Sequence, residues 1–482
     1  MNVLFASSEC APFVKTGGLG DVVGALPRKL AQEGVNTAVI LPKYKSIDEK
    51  YVKEMYYIDN IYIKMGWRSQ YAGVFKLEKD GVIYYFVDNE FYFGHEPLYS
   101  DVYIDIERFA FFDKAVLALL QVTGFWPDVI NLNDWQTGMI PVLLKAHYSH
   151  DDRYNRIKTV MTIHNLKYQG IYDKKTISDI LDLDDEYFTP DKLEFYKDAS
   201  FLKGGLVYSD YITTVSPTYS CEIMNEYFGE NLNGILNARH ESVRGIVNGI
   251  DYDVWNPRTD ENIEENFDAR NVVSKKRDNK LKLQRELGLL EDENKFLIGM
   301  VTRLTHQKGL ELVDHIMDEM MAQGDVQLVI LGSGDETYEN MLRHYEWKYK
   351  GSVCSVIKFD NSLSHRIYAA SDAFLMPSLF EPCGLSQMIA MHYGSLPIVR
   401  ETGGLKDTVE AYNEYENTGT GFSFANYNAH EMLYVINYAK SVWQNNKKAW
   451  QAMMKRAMKA DFSWDNSAKS YIEVYNYLLG SV

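Results

Sequence analysis

Cysteine, basic clusters and long apolar runs are scarce in this sequence, and each scarcity removes a class of protein. The four cysteines, Cys10, Cys221, Cys354 and Cys383, are scattered with no Cys-x-x-Cys pair, so neither a disulfide framework nor a cysteine zinc site is expected. Lysine and arginine number 50 against 67 aspartates and glutamates, a net charge of −17. With no basic block in that background, neither nucleic acid nor a membrane is an expected partner. No run of about 18 apolar residues predicts a membrane span. Strand-like residues begin just after Met1, which leaves no room for a leader, so a reducing cytoplasm is the expected setting. Neither G-x-G-x-x-G nor G-x-x-x-x-G-K-[ST] occurs, which disfavours a dinucleotide oxidoreductase and a P-loop enzyme.

What is present is a globular composition, 46% hydrophobic and 24% charged. The length predicts two or three domains of about 150 residues each. Tyrosine is abundant, at 35 residues. It joins a flat apolar face to a hydroxyl, which suits sugar rings, although most tyrosines serve in cores and half-buried strands. Val3–Ala6, Thr37–Leu41, Val82–Val87, Val129–Leu132, Lys158–Ile163 and Tyr211–Val215 read as strands, and Ile106–Gln121 and Met139–His147 as helices. Val52–Lys64 and Tyr71–Leu77 predict an antiparallel excursion, and Asp173–Lys203 a helical one. After a turn at Val247–Asp251, Asn256–Leu281 is charged and aperiodic, as expected of a surface connection. Strands then resume at Phe296–Val301, Gln327–Leu331, Ser355–Lys358, Ala373–Met376 and Leu396–Val399. Glu431–Leu479 is helical, with Met432, Val435, Ile436, Ala439 and Val442 on one face. This alternation predicts an α/β fold of two doubly wound domains, 1–245 and 246–460, with residues 461–482 a helix packing back on the first. Two such domains leave a deep cleft, and ligands sit at the carboxyl ends of the strands.

The stretch Val14–Pro27 organises the rest. Lys15 opens a loop with glycines at 17, 18 and 20, and a helix is expected to start near Asp21, which would cap it, and to stop at Gly34. Pro27 implies a kink or a later start. Bare backbone, a lysine and a helix N-terminus suit an anion. An ordinary βα turn with a surface lysine is the alternative.

Other strand ends carry matching features. Arg303 and Lys308 share one loop, and a guanidinium fork plus a point charge suits a diphosphate, unless both are merely solvated cations. Gly332-Ser333-Gly334 is a second bare loop, Glu381 sits ahead of a helix in a stiff frame between Pro377 and Pro382, and Thr402-Gly403-Gly404 opens another helix. Three such loops in one domain point to a phosphate or nucleotide site. In the first domain, Asp134–Trp135 can hydrogen-bond and stack on a sugar, and His164–Asn165 ends the next strand; a structural histidine is the other reading of His164.

Taken together, Lys15-Thr16-Gly17-Gly18-Leu19, Asp134-Trp135, Thr162-Ile163-His164-Asn165, Asn248-Gly249-Ile250-Asp251, Arg303–Lys308, Glu381-Pro382-Cys383-Gly384-Leu385 and Thr402-Gly403-Gly404-Leu405 resemble the bacterial glycogen synthase and plant starch synthase family. The resemblance implies a retaining glucosyltransferase with two Rossmann-like domains of the GT-B type. It would move glucose from ADP-glucose, releasing ADP, to the non-reducing end of an α-1,4-glucan such as glycogen or a maltooligosaccharide. It places Lys15, Arg303, Lys308, Thr402 and the Gly18 backbone at the phosphates, and Glu381, Cys383 and Gly384 at the donor glucose. Gly332, Leu385 and Gly403 fall on the donor side, and His164 next to the anomeric carbon. Asp134, Trp135, Asn165 and Asn248 fall on the acceptor side. The adenine-stacking ring falls on Phe359, where the family has tyrosine. The superfamily's frequent second glutamate is Ile389 here.

No cofactor and no metal are expected. Asp251-Tyr252-Asp253 spells D-x-D but lies in the interdomain turn, where a structural role is expected. Lys15 is expected to clamp phosphates held by Arg303 and Lys308 as the domains close and expel water. The alternatives are a related transferase using UDP-glucose or a small acceptor, and a catalytically silent glucan-binding protein.

Overall fold

The structure, a computed structural model, describes residues 1–95, 97–100 and 102–480. The chain forms two compact units. One combines Met1–Asn248 with Trp464–Val482, and the other is Gly249–Ser463.

The first unit contributes β1 (Asn2–Ala6), β2 (Asn36–Pro42), β3 (Tyr56–Met65), β4 (Arg68–Lys79), β5 (Val82–Asp88), β6 (Val129–Asn133), β7 (Lys158–Ile163), β8 (Ile171–Tyr172), β9 (Glu194–Phe195), β10 (Asp198–Ser200), β11 (Tyr211–Thr214) and β12 (Val243–Gly245). Among the described residues, nine of these form one sheet in the order β12-β11-β7-β6-β1-β2-β5-β4-β3. The run from β12 to β5 is parallel; β4 and β3 add on antiparallel. Val3, Leu4, Phe5 and Ala6 of β1 are all buried, the continuous apolar run that a strand covered on both faces requires. The order reverses beside β1, with β2 on one side and β6 on the other, and such a switch point opens a crevice at the strands' carboxyl ends.

Two expectations for this unit need correction. The helix after β1 spans Gly18–Gln32, so it starts before Asp21, which lies in the first turn, and Pro27 lies inside it. Proline at 27 leaves the Val23 carbonyl without its helical donor. The buried Cys10 thiol donates to that carbonyl instead, at 3.4 Å. The segment Asp173–Lys203 holds one complete α-helix, Lys174–Leu181, which Asp173 caps by accepting from the Thr176 N–H, a 3-10 turn at Asp185–Tyr187 and the start of the helix Phe201–Tyr208. Asp182 then turns the chain at φ 54°. Two short strands beyond it, β9 and β10, join β8 in a three-stranded sheet of order β8-β10-β9. The buried Lys203 ammonium holds that sheet, donating to the carbonyls of Pro190 and Glu194.

The second unit contributes β13 (Phe296–Val301), β14 (Val326–Gly332), β15 (Val353–Ile357), β16 (Ala373–Met376), β17 (Leu396–Arg400) and β18 (Phe422–Phe424). They form a parallel sheet in the order β15-β14-β13-β16-β17-β18. Its switch point lies between β13 and β16. The charged segment expected to be a connection contains a helix, Val272–Glu286. Its inward face is largely polar: Lys276, Asn279, Lys280 and Gln284 are buried beside Val272 and Leu283. Lys276 donates to the carbonyls of Tyr368, Ala369 and Tyr393 and to the Ser395 hydroxyl, at 2.8–3.1 Å.

Met432, Val435, Ile436, Ala439 and Val442 are buried along the helix Ala429–Asn445. The helix Trp464–Leu479 belongs to the first unit. Asp465 pairs with Lys29 at 2.7 Å, and the Ser467 hydroxyl donates to the Val247 carbonyl at 2.6 Å. No helix among the described residues is long and apolar enough to cross a membrane.

Candidate active site

In the first unit the chain leaving β1 is pinned by Glu9, which is 3% exposed. Its carboxylate accepts from the Thr16 N–H at 2.5 Å, the Thr16 hydroxyl at 2.7 Å, the Gly17 N–H at 3.3 Å and the Tyr99 hydroxyl at 2.6 Å. The loop that presents Lys15 and Gly18 therefore has a fixed shape. Lys15 itself is exposed, and its ammonium pairs with Asp21 at 2.6 Å. Asp21 thus serves the lysine, where the sequence suggested a helix cap.

The ends of β6 and β7 meet through Asp134. Its backbone is left-handed at φ 58°, and its Oδ1 accepts from the N–H groups of His164 at 2.7 Å and Asn165 at 3.3 Å. Burial, with the Glu9 charge adding to it, pushes the Asp134 carboxyl up to about 7. Burial also drives the His164 imidazole down to about 3, so the ring is neutral near pH 7. The Asn133 amide nitrogen donates to the Ala6 carbonyl, which leaves its Oδ1 as the acceptor facing His164 Nε2 at 2.9 Å. His164 therefore carries its proton on Nε2 and has Nδ1 as an acceptor.

Trp135 corrects the sequence reading. It is buried against Phe109 and Phe201 in edge-on contacts, and a side chain at Gly170 would collide with the indole. It is a core residue, and its ring is not offered to a sugar. Asn248 is buried, with its Oδ1 unpartnered among the described residues. No hydrogen bond joins it to Asp134 or His164 there.

In the second unit the switch point holds the densest chemistry. Lys308, in the loop after β13, pairs through Nζ with Glu381 Oε2 of the loop after β16 at 2.5 Å, both side chains nearly buried. Ser378 donates its hydroxyl to the same carboxylate oxygen at 3.1 Å. Gln307 fastens the two loops: its carbonyl accepts from the Leu379 N–H at 2.9 Å, and its amide donates to the Phe380 carbonyl at 3.2 Å. Arg303 is exposed, with no ion pair among the described residues. Cys383 is buried, and Gly384 and Leu385 are half-buried. Phe359 stands 82% exposed just past β15, a free aromatic face.

Two of the glycines read as ligand approaches serve chain against chain. Gly403, at φ 43° after the buried Thr402, lies so near the Glu381 carbonyl that a side chain would collide with it. Gly332 likewise leaves room for the Thr302 carbonyl. Asp251-Tyr252-Asp253 is a turn: the Asp251 carboxylate accepts from the Asp253 N–H at 2.9 Å, and the Tyr252 ring stacks on His392. Glu9, Ser378 and Gln307 escaped the sequence reading, although an acidic residue three positions past a strand end, just ahead of the lysine loop, was a usable signal for Glu9.

A family model described as the starch synthase catalytic domain matches residues 2–238, and one described as glycosyl transferases group 1 matches residues 285–456. The chain is 57% identical over 477 residues to a glycogen synthase of Lachnospira eligens, covering 99% of this chain and 100% of that one. To a glycogen synthase of Lachnoclostridium phytofermentans it is 52% identical, covering 99% of each. The chain belongs to the glycogen synthase family. The catalytic domain of starch synthase IV from Arabidopsis thaliana, a structure bound to ADP and acarbose, superposes with a TM-score of 0.92 at 33% identity, covering 99% of each chain. Sucrose-phosphate synthase from Thermosynechococcus elongatus shares the fold, with a TM-score of 0.63 at 17% identity and full coverage of both chains.

A glycogen synthase is a glycosyltransferase, and these sites fit that chemistry. A diphosphate leaving group gathers negative charge in the transition state. Fixed cations stabilise that charge at little reorganisation cost.

Proposed function

We propose that the chain transfers glucose from ADP-glucose to the 4-hydroxyl at the non-reducing end of an α-1,4-glucan, with retention and release of ADP. The observation that carries this is the Lys308–Glu381 pair at the second unit's switch point, held by Ser378 and Gln307. The ADP and acarbose in the Arabidopsis starch synthase structure are the comparison that supports the donor and the glucan. Lys15, Arg303 and Lys308 take the diphosphate, Phe359 stacks on the adenine, and Glu381 hydrogen-bonds the donor glucose. Neutral His164 hydrogen-bonds the glucosyl unit beside its anomeric carbon, on the loop that Asp134 and Asn165 shape. The bond from the anomeric carbon to the β-phosphate oxygen breaks as the acceptor oxygen bonds to that carbon from the same face. The acceptor's proton passes to the departing phosphate. Neither a metal nor a cofactor takes part. A reducing cytoplasm is the proposed setting, in which four free thiols persist.

The test is incorporation of labelled glucose into glycogen from ADP-glucose and from UDP-glucose, in excess chelator. Preference for ADP-glucose with undiminished turnover is expected. Preference for UDP-glucose, or loss of turnover in chelator, overturns the donor or the metal-free step. A trapped glucosyl ester on Glu381 overturns same-face attack.

A further inference from the structure

The carboxyl-end rim of the second unit contains an arginine to which the proposed transfer gives no part. Arg400 closes β17. Its Nη1 donates to the Leu379 carbonyl at 2.6 Å and reaches the Ser378 carbonyl at 3.4 Å. Those two carbonyls belong to the loop that ends in Glu381, and the Ser378 side chain itself donates to the Glu381 carboxylate. The Gln307 bonds to Leu379 and Phe380 hold the same loop from the β13 side. The Glu381 loop is thus gripped from both neighbouring strands.

The grip continues around the rim. The Arg400 guanidinium carbon lies 5.7 Å from the centre of the Tyr427 ring. The Tyr427 hydroxyl donates to Glu311 Oε1. His306, in the loop between Arg303 and Lys308, pairs through Nδ1 with that same Glu311 oxygen at 2.8 Å. A guanidinium holds these carbonyls from a rigid plane that also lies beside the ring, an orientation that the point charge of a lysine ammonium does not fix.

We propose that Arg400 is a positioning residue for the glucosyl transfer: it sets the Glu381 loop, and through Tyr427 and Glu311 it keeps that loop in register with the loop of Arg303 and Lys308. This rests on the reading of Glu381 and Lys308 as donor-site groups. One competing role is direct contact of the guanidinium with the nucleotide, although Arg400 Nε is itself buried, without an acceptor among the described residues. A purely structural role is the other competitor.

The experiment compares Arg400→Lys and Tyr427→Phe with the unaltered chain in kcat, KM for ADP-glucose, ADP affinity by calorimetry, and thermal midpoint. The expected result is a kcat at least tenfold lower in Arg400→Lys and two- to fivefold lower in Tyr427→Phe. ADP affinity should stay within twofold, and folding should remain cooperative. Parallel weakening of ADP binding overturns the proposal in favour of nucleotide contact. An unchanged kcat in the folded fraction overturns it in favour of simple stability. Should Arg400→Lys fail to fold, Tyr427→Phe decides alone, a normal kcat refuting the proposal. If the unaltered chain does not turn over ADP-glucose, it is the underlying assignment that fails.

Discussion

Asp134 and His164 sit side by side with their proton affinities displaced in opposite directions, and this makes a prediction that substitution can expose. His164 titrates at about 3 in the folded chain against a usual 6.5, through burial alone. Between those values the unfolded chain holds a proton that the folded chain does not, so this group makes stability fall on acidification below pH 6.5. Asp134 titrates at about 7 against a usual 3.8. There the folded chain holds the extra proton, so stability falls as pH rises through the same range and levels off above 7. Each slope is at most about 1.4 kcal/mol per pH unit, and from about pH 4 to 6.5 they oppose one another. Replacing one partner removes one slope. His164→Asn is expected to lose up to about 3 kcal/mol relative to the unaltered chain as pH rises across that window. Asp134→Asn, which keeps an acceptor for the His164 and Asn165 N–H groups, should lose a similar amount as pH falls. Urea unfolding at pH 4.5, 5.5 and 6.5 measures both. Curves of identical pH dependence for all three proteins would refute the reasoning. The same displacement means that His164→Asn should not remove a pH limb near 6.5 from the rate profile.

Phe359→Ala should raise KM for ADP-glucose about tenfold with little change in kcat, since stacking on a base contributes about 1–3 kcal/mol; steady-state kinetics with Phe359→Tyr near normal is the control, and an unaffected KM in the alanine variant counts against the stacking role. Glu9→Gln weakens the anchor on the Thr16 and Gly17 N–H groups, and hydrogen bonds to a charged acceptor contribute about 1.5–3 kcal/mol. A donor KM about tenfold higher, with acceptor KM unchanged, is expected. Lys276→Met removes a buried donor from three carbonyls and the Ser395 hydroxyl in the second unit, the Tyr368 carbonyl keeping its bond from Ser395, and should lower its unfolding free energy by about 3 kcal/mol, read by urea unfolding.

The parallel strands were legible because a strand covered on both faces is an unbroken apolar run. Lys308 and Glu381 were legible as charges at strand ends, but their direct pairing across two loops 73 residues apart was not. The helix Val272–Glu286 was invisible because it buries lysines, asparagine and glutamine, whose partners are carbonyls distant in sequence. Trp135 misled because residue type does not say which face of a strand end a ring takes; Phe109 and Phe201, which enclose it, lie on other elements. Gly332 and Gly403 misled for a related reason. A bare backbone invites close approach, and here the visitor is another stretch of the same chain.

The helix Trp464–Leu479 is held by Lys29, Val247 and Arg244, all in the first unit. During synthesis the second unit therefore has all its residues before the first has its last helix. The first unit is begun first and completed last: a chain grown just past residue 463 has every residue of the second unit and still lacks the first unit's closing helix.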